Sequence, residues 1–300
     1  MPRDPRNLWH DRALAFLVAF LVGTIGRLSW RGAQRAGAAL GALGWRVARR
    51  DRRRAIEHLG VAFPDLDSPA RRRLARACFR HLGVTLGESL HLLRCDAAQL
   101  LSHVEIEGWD VLESARDAGR PLVIITGHCG NWEILAASLS SRGLSLAAVA
   151  RSLDEPGLQR MLENLRARFG TRTIERGREG AARLLLGALR RGTALGLLID
   201  QDTQVEGVWV PFFGRPAFTP VGAAKIALKQ KAAVVPAFIE RRPDGSHLAR
   251  ILPPLDLPDD PEEATAVMTR AIEEQIRRRP EQWVWVHRRW KRRPTAEPSA

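Results

Sequence analysis

The chain has 300 residues, enough for one sizeable core with an appendage and too few for two full-sized domains. A hydrophobic share of 45% beside 27% charged residues, with no low-complexity tract, excludes a disordered class, and three cysteines without CxxC spacing indicate neither a disulfide framework nor a zinc site. With 47 Lys and Arg against 33 Asp and Glu the net charge is +14, which suits nucleic acid, an anionic membrane, acidic lipid head groups or an acidic carrier protein, and equally a solvated Arg-rich surface.

The first segment with a pattern is 13–26 (ALAFLVAFLVGTIG), uncharged between Arg12 and Arg27. As a helix it is roughly 21 Å long against about 30 Å of bilayer hydrocarbon. Leu8, Trp9, Leu28 and Trp30 can extend it, with arginines snorkelling at its ends. No A-x-A-like cleavage site follows, because Arg27, Arg31 and Arg35 intervene, so residues 1–30 are expected to be a retained anchor helix and not a signal peptide. The positive charge that follows the run places the rest of the chain on the cytoplasmic side; its shortness also suits a helix lying in the interface, and a buried helix would use the same pattern.

Residues 31–100 carry six arginines and one acid between Arg46 and Arg54, then five more arginines at helical spacing between Arg71 and Arg80. The expectation is a basic helical region lying on an anionic surface. From residue 101 the pattern changes. Short apolar runs at 121–126, 145–150, 194–199, 207–213 and 233–240 alternate with helical patterns at 131–142, 155–169 and 179–191. Such alternation predicts an α/β core over 101–294, with a mixed, largely buried central sheet flanked by helices, and a short tail at 295–300.

The segment TGHCGNWE (126–133) follows the predicted strand PLVIIT and opens a helix at about Asn131. Ligands of open α/β sheets bind beyond the carboxyl ends of strands, so His128 lies where a catalytic side chain belongs, and Gly127 and Gly130 permit tight turns there. If Asn131 caps the helix, Glu133 stands in its first turn, from which its carboxylate can fold back toward the imidazole. A carboxylate and a histidine together make a general base, with the acid fixing the tautomer and stabilising the imidazolium. An alcohol activated by His128 needs no enzyme nucleophile, although Cys129 is an alternative one. A polar loop residue beside a helix-starting acid gives the same HxxxxE spacing.

GHCGNWE at 127–133 closely resembles the signature of the lipid A biosynthesis acyltransferases, the lauroyl and myristoyl transferases of late endotoxin assembly. The resemblance continues through RRRAIEHLGVAFPD (52–65), GESL (87–90), ARSLDEP (150–156), LLIDQD (197–202), VPFFGRPAFTPVG (210–222) and QWVWVHRRWKRRP (282–294). It departs at Cys129, where phenylalanine is common, and at His58, where asparagine is more usual. What it implies is a His128–Glu133 pair moving a fatty acyl chain from acyl carrier protein to a hydroxyl of an anionic glycolipid, a lipid A precursor or its relative, at the inner membrane. Acylation of another phospholipid, glycolipid or aminolipid from acyl-CoA is the alternative. No cofactor or metal is implied, since a histidine base needs none.

Arg151 and the run Asp200-Gln201-Asp202 follow two further predicted strands and face the edge that holds His128. With Asn131 they are the candidates for substrate binding or oxyanion stabilisation, although Arg151 can equally pair with Asp154 or Glu155, Asp200 can orient Arg151 or the loop, and a metal role for Asp200 and Asp202 is an alternative that a histidine base does not require. The stretch 210–222 reads as a stiff apolar loop before a helix near Pro220; Phe212, Phe213, Gly214 and Arg215 either line an acyl groove or pack into the core. Between Arg277 and Arg293 eight basic residues and one acid interleave with Trp283, Trp285 and Trp290. That composition suits single-stranded nucleic acid or a membrane interface, and QWVWVH suits a strand returning to the core. No helix-turn-helix, KH, RRM or zinc-finger pattern supports nucleic acid, and a noncatalytic scaffold does not account for the strand-end His and Glu.

Overall fold

The structure is a computed structural model and describes residues 20–294. Residues 1–19 of the expected anchor and the tail at 295–300 lie outside the described residues. Of the apolar run, 20–25 is helical, and Ile25 packs with Ala33 and Leu90. Among the described residues no helix is long and apolar enough to cross a membrane.

After the helical segment 20–25, and before the sheet, come α1 (Trp30–Val47), α2 (Arg49–Ala62), α3 (Ser68–Leu92) and α4 (Ala97–Leu101). The α1–α3 contact depends on glycine. A Cβ on Gly37 would stand 2.3 Å from the carbonyl oxygen of Gly83, and one on Gly83 2.2 Å from that of Gly37, so the two backbones touch. The charged stripe of each helix is left outside.

Strands β1 (Val104–Glu107), β2 (Leu122–Thr126), β3 (Leu146–Ala150), β4 (Arg172–Glu175), β5 (Ala194–Leu198), β8 (Ala233–Arg241) and β9 (His247–Ile251) form one seven-stranded sheet in the order β1-β9-β8-β2-β5-β3-β4. All neighbours are parallel except β8 and β9. Helices α5 (Trp109–Asp117), α6 (Trp132–Ser141), α7 (Pro156–Arg168), α8 (Ala181–Arg190), α9 (Gly222–Gln230) and α10 (Pro261–Arg278) complete the core.

The central strand LVIIT is buried along its whole length, as a strand covered on both faces must be. Its side chains alternate between two cores: Val123 and Ile125 join Ile272 and Leu189, whereas Leu122 and Ile124 join Ile134 and Leu165. The mixed α/β sheet flanked by helices is therefore as expected, and every apolar run from 121 to 240 named above falls on a strand. Helix starts follow ordinary capping, with the Asp67, Asn131 and Asp260 side chains accepting from backbone amides one turn on.

Two expectations are corrected. The stretch 210–222 is not a loop: β6 (Gly207–Phe212) and β7 (Arg215–Pro220) form a separate two-stranded antiparallel hairpin. Its turn residues Phe213 and Gly214 have φ of 52° and 71°, the backbone of a tight two-residue hairpin turn. The terminal tryptophans are not interfacial either. Trp283 and Trp285 are wholly buried, packing on each other and on Phe212 and Phe213, and QWVWVH is not a strand: it leaves the 3-10 turn Pro280–Gln282, makes one isolated bridge between Trp283 and Cys129, and turns again.

Candidate active site

The carboxyl ends of β2 and β5, adjacent and parallel with Thr126 opposite Leu198, bring the two following segments together. Asp200, buried to 1% exposure, reaches across to the loop after β2. One of its oxygens accepts from His128 Nδ1 at 2.7 Å; the other accepts from the His128 backbone amide and from Trp283 Nε1, each at 2.7 Å. Burial alone would raise the pKa of this carboxyl. The charge of His128 and the hydrogen bonds from His128 and Trp283 overrule it and bring the value down to about 2.

When the ring gives Nδ1–H to the carboxylate, Nε2 faces away from Asp200, and no partner among the described residues occupies it. The ring lies edge-on to Trp132, with centroids 4.8 Å apart, and its side chain is 21% exposed. This is an oriented imidazole open to a proton donor. Two glycines allow the arrangement. A Cβ on Gly127 would meet Ile272 at 2.8 Å and Asp200 at 3.2 Å; Gly130 has φ of 62°, and a Cβ there would lie 2.0 Å from the carbonyl oxygen of Ile239.

Glu133 does not fold back onto the imidazole. It is buried, and its two oxygens accept from Arg166 Nε and Nη2 at 2.9 and 2.7 Å. The first turn of α6 directs it to α7, and the position beside Nδ1 that it was expected to fill belongs to Asp200. Asn131 is wholly buried: it caps α6 and donates to Glu88 Oε2 and the Thr85 carbonyl, leaving nothing for a substrate. Arg151 is 66% exposed and pairs with Asp154 at 2.8 Å, the surface ion pair that its sequence neighbours allow. Gln201 is half-buried on the bend after Asp200. Phe212 and Phe213 pack beneath Trp283 and Trp285, so they support the site from the core, while Gly214 and Arg215 are exposed at the hairpin tip. Cys129 is buried, and burial followed by the charge of Asp200 pushes its thiol well above the usual range, which removes it as a nucleophile.

Several residues of the site escaped the sequence. Trp283 anchors Asp200, and Arg166 pairs Glu133. His287 Nε2 accepts from the Asp202 amide at 3.2 Å, and burial lowers its pKa to about 4. Asp202, wholly buried, lies 3.1 Å from Arg292 and 3.6 Å from Lys291. For Trp283, His287, Lys291 and Arg292 the signal was the Trp- and Arg-rich block at 282–294; Asp202 stood in the run Asp200-Gln201-Asp202, and Arg166 had no signal of its own.

The loop is also held from behind. His81 Nε2 donates to the Gly130 carbonyl and the Gln282 carbonyl accepts the Gly130 amide, while Arg241 donates to His81 Nδ1 and, through two nitrogens, to Glu88. Glu88 also receives Gln34, Asn131 and His247. Burial would raise its pKa, but His247 and Arg241 hold it well below the usual carboxylate range.

A mostly parallel α/β sheet that carries a carboxylate-oriented histidine at its strand ends, with the neighbouring Cys129 thiol buried, is an arrangement able to accept a proton from a bound hydroxyl. The model of the bacterial lipid A biosynthesis acyltransferases matches residues 1–292, and the chain belongs to that family of O-acyltransferases. It is 28% identical over 269 residues to the lipid A biosynthesis palmitoleoyltransferase of Escherichia coli strain K12, covering 88% of this chain and 86% of that protein. It is 26% identical over 305 residues to the lauroyltransferase of the same strain, covering 100% and 98%. A phosphatidylinositol mannoside acyltransferase of Mycobacterium tuberculosis strain CDC 1551 / Oshkosh is 28% identical over 190 residues, covering 62% of this chain and 59% of that protein.

The back of the loop has a measurable pH signature. Burial, then the charge of Arg241, pushes His81 down to about 3. The unfolded chain takes up this proton below about pH 6.5 and the fold refuses it, so its contribution to stability is complete above 6.5 and shrinks as pH falls toward 3. Between pH 6.5 and 5 the loss is about 2 kcal/mol for this one group, at about 1.4 kcal/mol per pH unit. Guanidinium unfolding of the wild type and of His81→Gln at both pH values should show the variant losing that much less; equal losses would mean that His81 is protonated in the fold.

Proposed function

We propose that this chain transfers a fatty acyl group from acyl carrier protein to a hydroxyl of a lipid A precursor, with His128 as general base and Asp200 as the residue that orients it. The single observation carrying this is the pair of hydrogen bonds from one residue, His128 N and Nδ1, to one buried carboxylate. In the reaction Nε2 takes the proton of the acceptor hydroxyl, and the oxygen adds to the thioester carbonyl. The tetrahedral intermediate then expels the thiolate, which recovers the proton from the imidazolium. Asp200 stabilises the imidazolium while it lasts. Glu133 contributes indirectly, by neutralising Arg166 and fixing α6 against α7.

His128→Ala and Asp200→Asn are each expected to lower kcat by about 10²–10⁴-fold, the usual share of a general base or of its orienting acid. Near-normal turnover by either purified variant would remove the residue from its role. Glu133→Gln differs, because it leaves the Arg166 charge buried and unpaired, a change of about 3–5 kcal/mol in stability.

A second reading, acylation of a different phosphorylated glycolipid, is favoured by the match to the phosphatidylinositol mannoside acyltransferase, and acyl-CoA is the donor to compare. The +14 chain suits an acidic carrier protein, whose encounter with it should slow as salt rises. The rate from acyl carrier protein should therefore fall several-fold between about 50 and 500 mM salt at subsaturating donor. A preference for acyl-CoA in side-by-side assays would overturn the choice of donor.

The setting we propose is the cytoplasmic face of the inner membrane. Support comes from the end of α1, where Leu43 and Val47 are 53% and 67% exposed among Arg46, Arg49 and Arg50, an apolar tip ringed by cations. A chain lacking residues 1–19 should still float with vesicles containing anionic lipid at low salt. The cut is placed there because Ile25 and Trp30 are buried. Failure to float would leave residues 1–19 as the sole anchor.

A further inference from the structure

A hollow lies behind the loop that carries His128, and its lining includes neither His128 nor Asp200. It is a cleft of about 600 Å³ between α1, α3, the turn joining β8 to β9, and the segment after α10. Six arginines line it, and three are committed: Arg241 to Glu88, Arg242 to Glu105, and Arg279 near Glu240. The other three are Arg31, Arg35 and Arg80, and among the described residues none has a carboxylate within salt-bridge distance. Arg31 and Arg35 stand one turn apart on the same face of α1, where like charges repel, and Arg80 joins them from α3. Two carboxylates, Asp244 and Glu281, also line the cleft. Asp244 accepts from the amide and hydroxyl of Ser246, so it is turned to its own loop.

Three exposed cations share one concave site, and neither Asp244 nor Glu281 lies within salt-bridge distance of any of them, which leaves a local excess of positive charge there. Guanidinium groups match phosphate oxygens in pairs, and a dianionic phosphate monoester balances two or three of them. The volume is that of a small-molecule site and exceeds a bare phosphate, which leaves room for the group that carries it. His81 and Gln282, on the floor, add no charge of their own: the imidazole is neutral, donating to Gly130 and accepting from Arg241.

We propose that this cleft binds a phosphate monoester, seated on Arg31, Arg35 and Arg80, at a site separate from the catalytic centre. The phosphate can arrive on a lipid head group or on a soluble sugar. Because His81 and Gln282 also hold Gly130, the occupant sits against the back of the catalytic loop without sharing a residue with the base.

Calorimetric titration of the full chain at low salt with glucose 1-phosphate, and separately with dihexanoyl phosphatidic acid below its micellar concentration, tests this without any turnover, so its outcome is independent of the acyl-transfer reading. At least one probe should bind, with affinity at least tenfold weaker in the Arg31→Gln/Arg35→Gln/Arg80→Gln variant and unchanged in His128→Ala. Single Arg80→Glu provides the same comparison if the triple variant fails to fold. Tighter binding of the phosphatidic acid identifies a lipid source and tighter binding of the sugar phosphate a soluble one; either supports the site. No binding of either probe, binding that survives the arginine changes, or an equal loss in the distant Arg50→Gln/Arg53→Gln control would overturn it. Loss in His128→Ala would also do so, by placing the phosphate in the catalytic centre.

Discussion

The carboxylate of Asp200 is the point on which the rest of the structure depends. An ionised carboxylate taken fully out of water loses several kcal/mol of hydration, and a fold that buries one has to surround it with donors. Here three donors converge on its two oxygens, from two parts of the chain far apart in sequence. Hydrogen bonds to a charged group contribute roughly 1.5–3 kcal/mol each net of their exchange with water, and the depressed pKa shows these bonds and the His128 charge prevailing over burial. The arrangement requires that β2 and β5 be neighbours and that residue 127 lack a side chain. It also requires that the chain return after α10 to place an indole beneath the pair.

The two other buried ionic clusters do different work. Glu133 with Arg166 ties α6 to α7, and Glu88 with Arg241, His247, Gln34 and Asn131 ties α1, α3 and strands β8 and β9 to the start of α6. His128 is thus gripped in front by Asp200 while Gly130, two residues on, is gripped behind by His81 and Gln282. A loop fixed from both sides presents one orientation of the imidazole, and the cost of ordering it is met during folding and not at each turnover.

Much of this architecture could be read from residues, for identifiable reasons. Strands buried on both faces are continuous apolar runs, and so LVIIT, LAAVA and ALGLL stood out. RTIE and VEIE, edge strands half open to solvent, carry charges that hide them. RPAFTP was concealed by its prolines, which a two-stranded ribbon tolerates because each strand has a free edge. The placement of His128 followed from its strand end. Its partner did not, because Glu133 is near in sequence whereas Asp200 is near only through a sheet order that local patterns do not encode. For the same reason the tryptophans at 283 and 285 looked interfacial: composition registers arginine beside tryptophan but not which of them turns inward.

The path of residues 282–292 also sets an order of events in biosynthesis. Gln282 closes on Gly130, Trp283 on Asp200, His287 on the Asp202 amide, and Arg289 on the Phe218 carbonyl and Thr219 hydroxyl. A ribosome-held chain can pair β2 with β5 long before these residues emerge, but until they do the Asp200 carboxylate lacks its indole and the loop lacks one of its two supports. Chains interrupted before this segment carry the whole sheet and the His128–Asp200 residues, yet they remain without a finished centre.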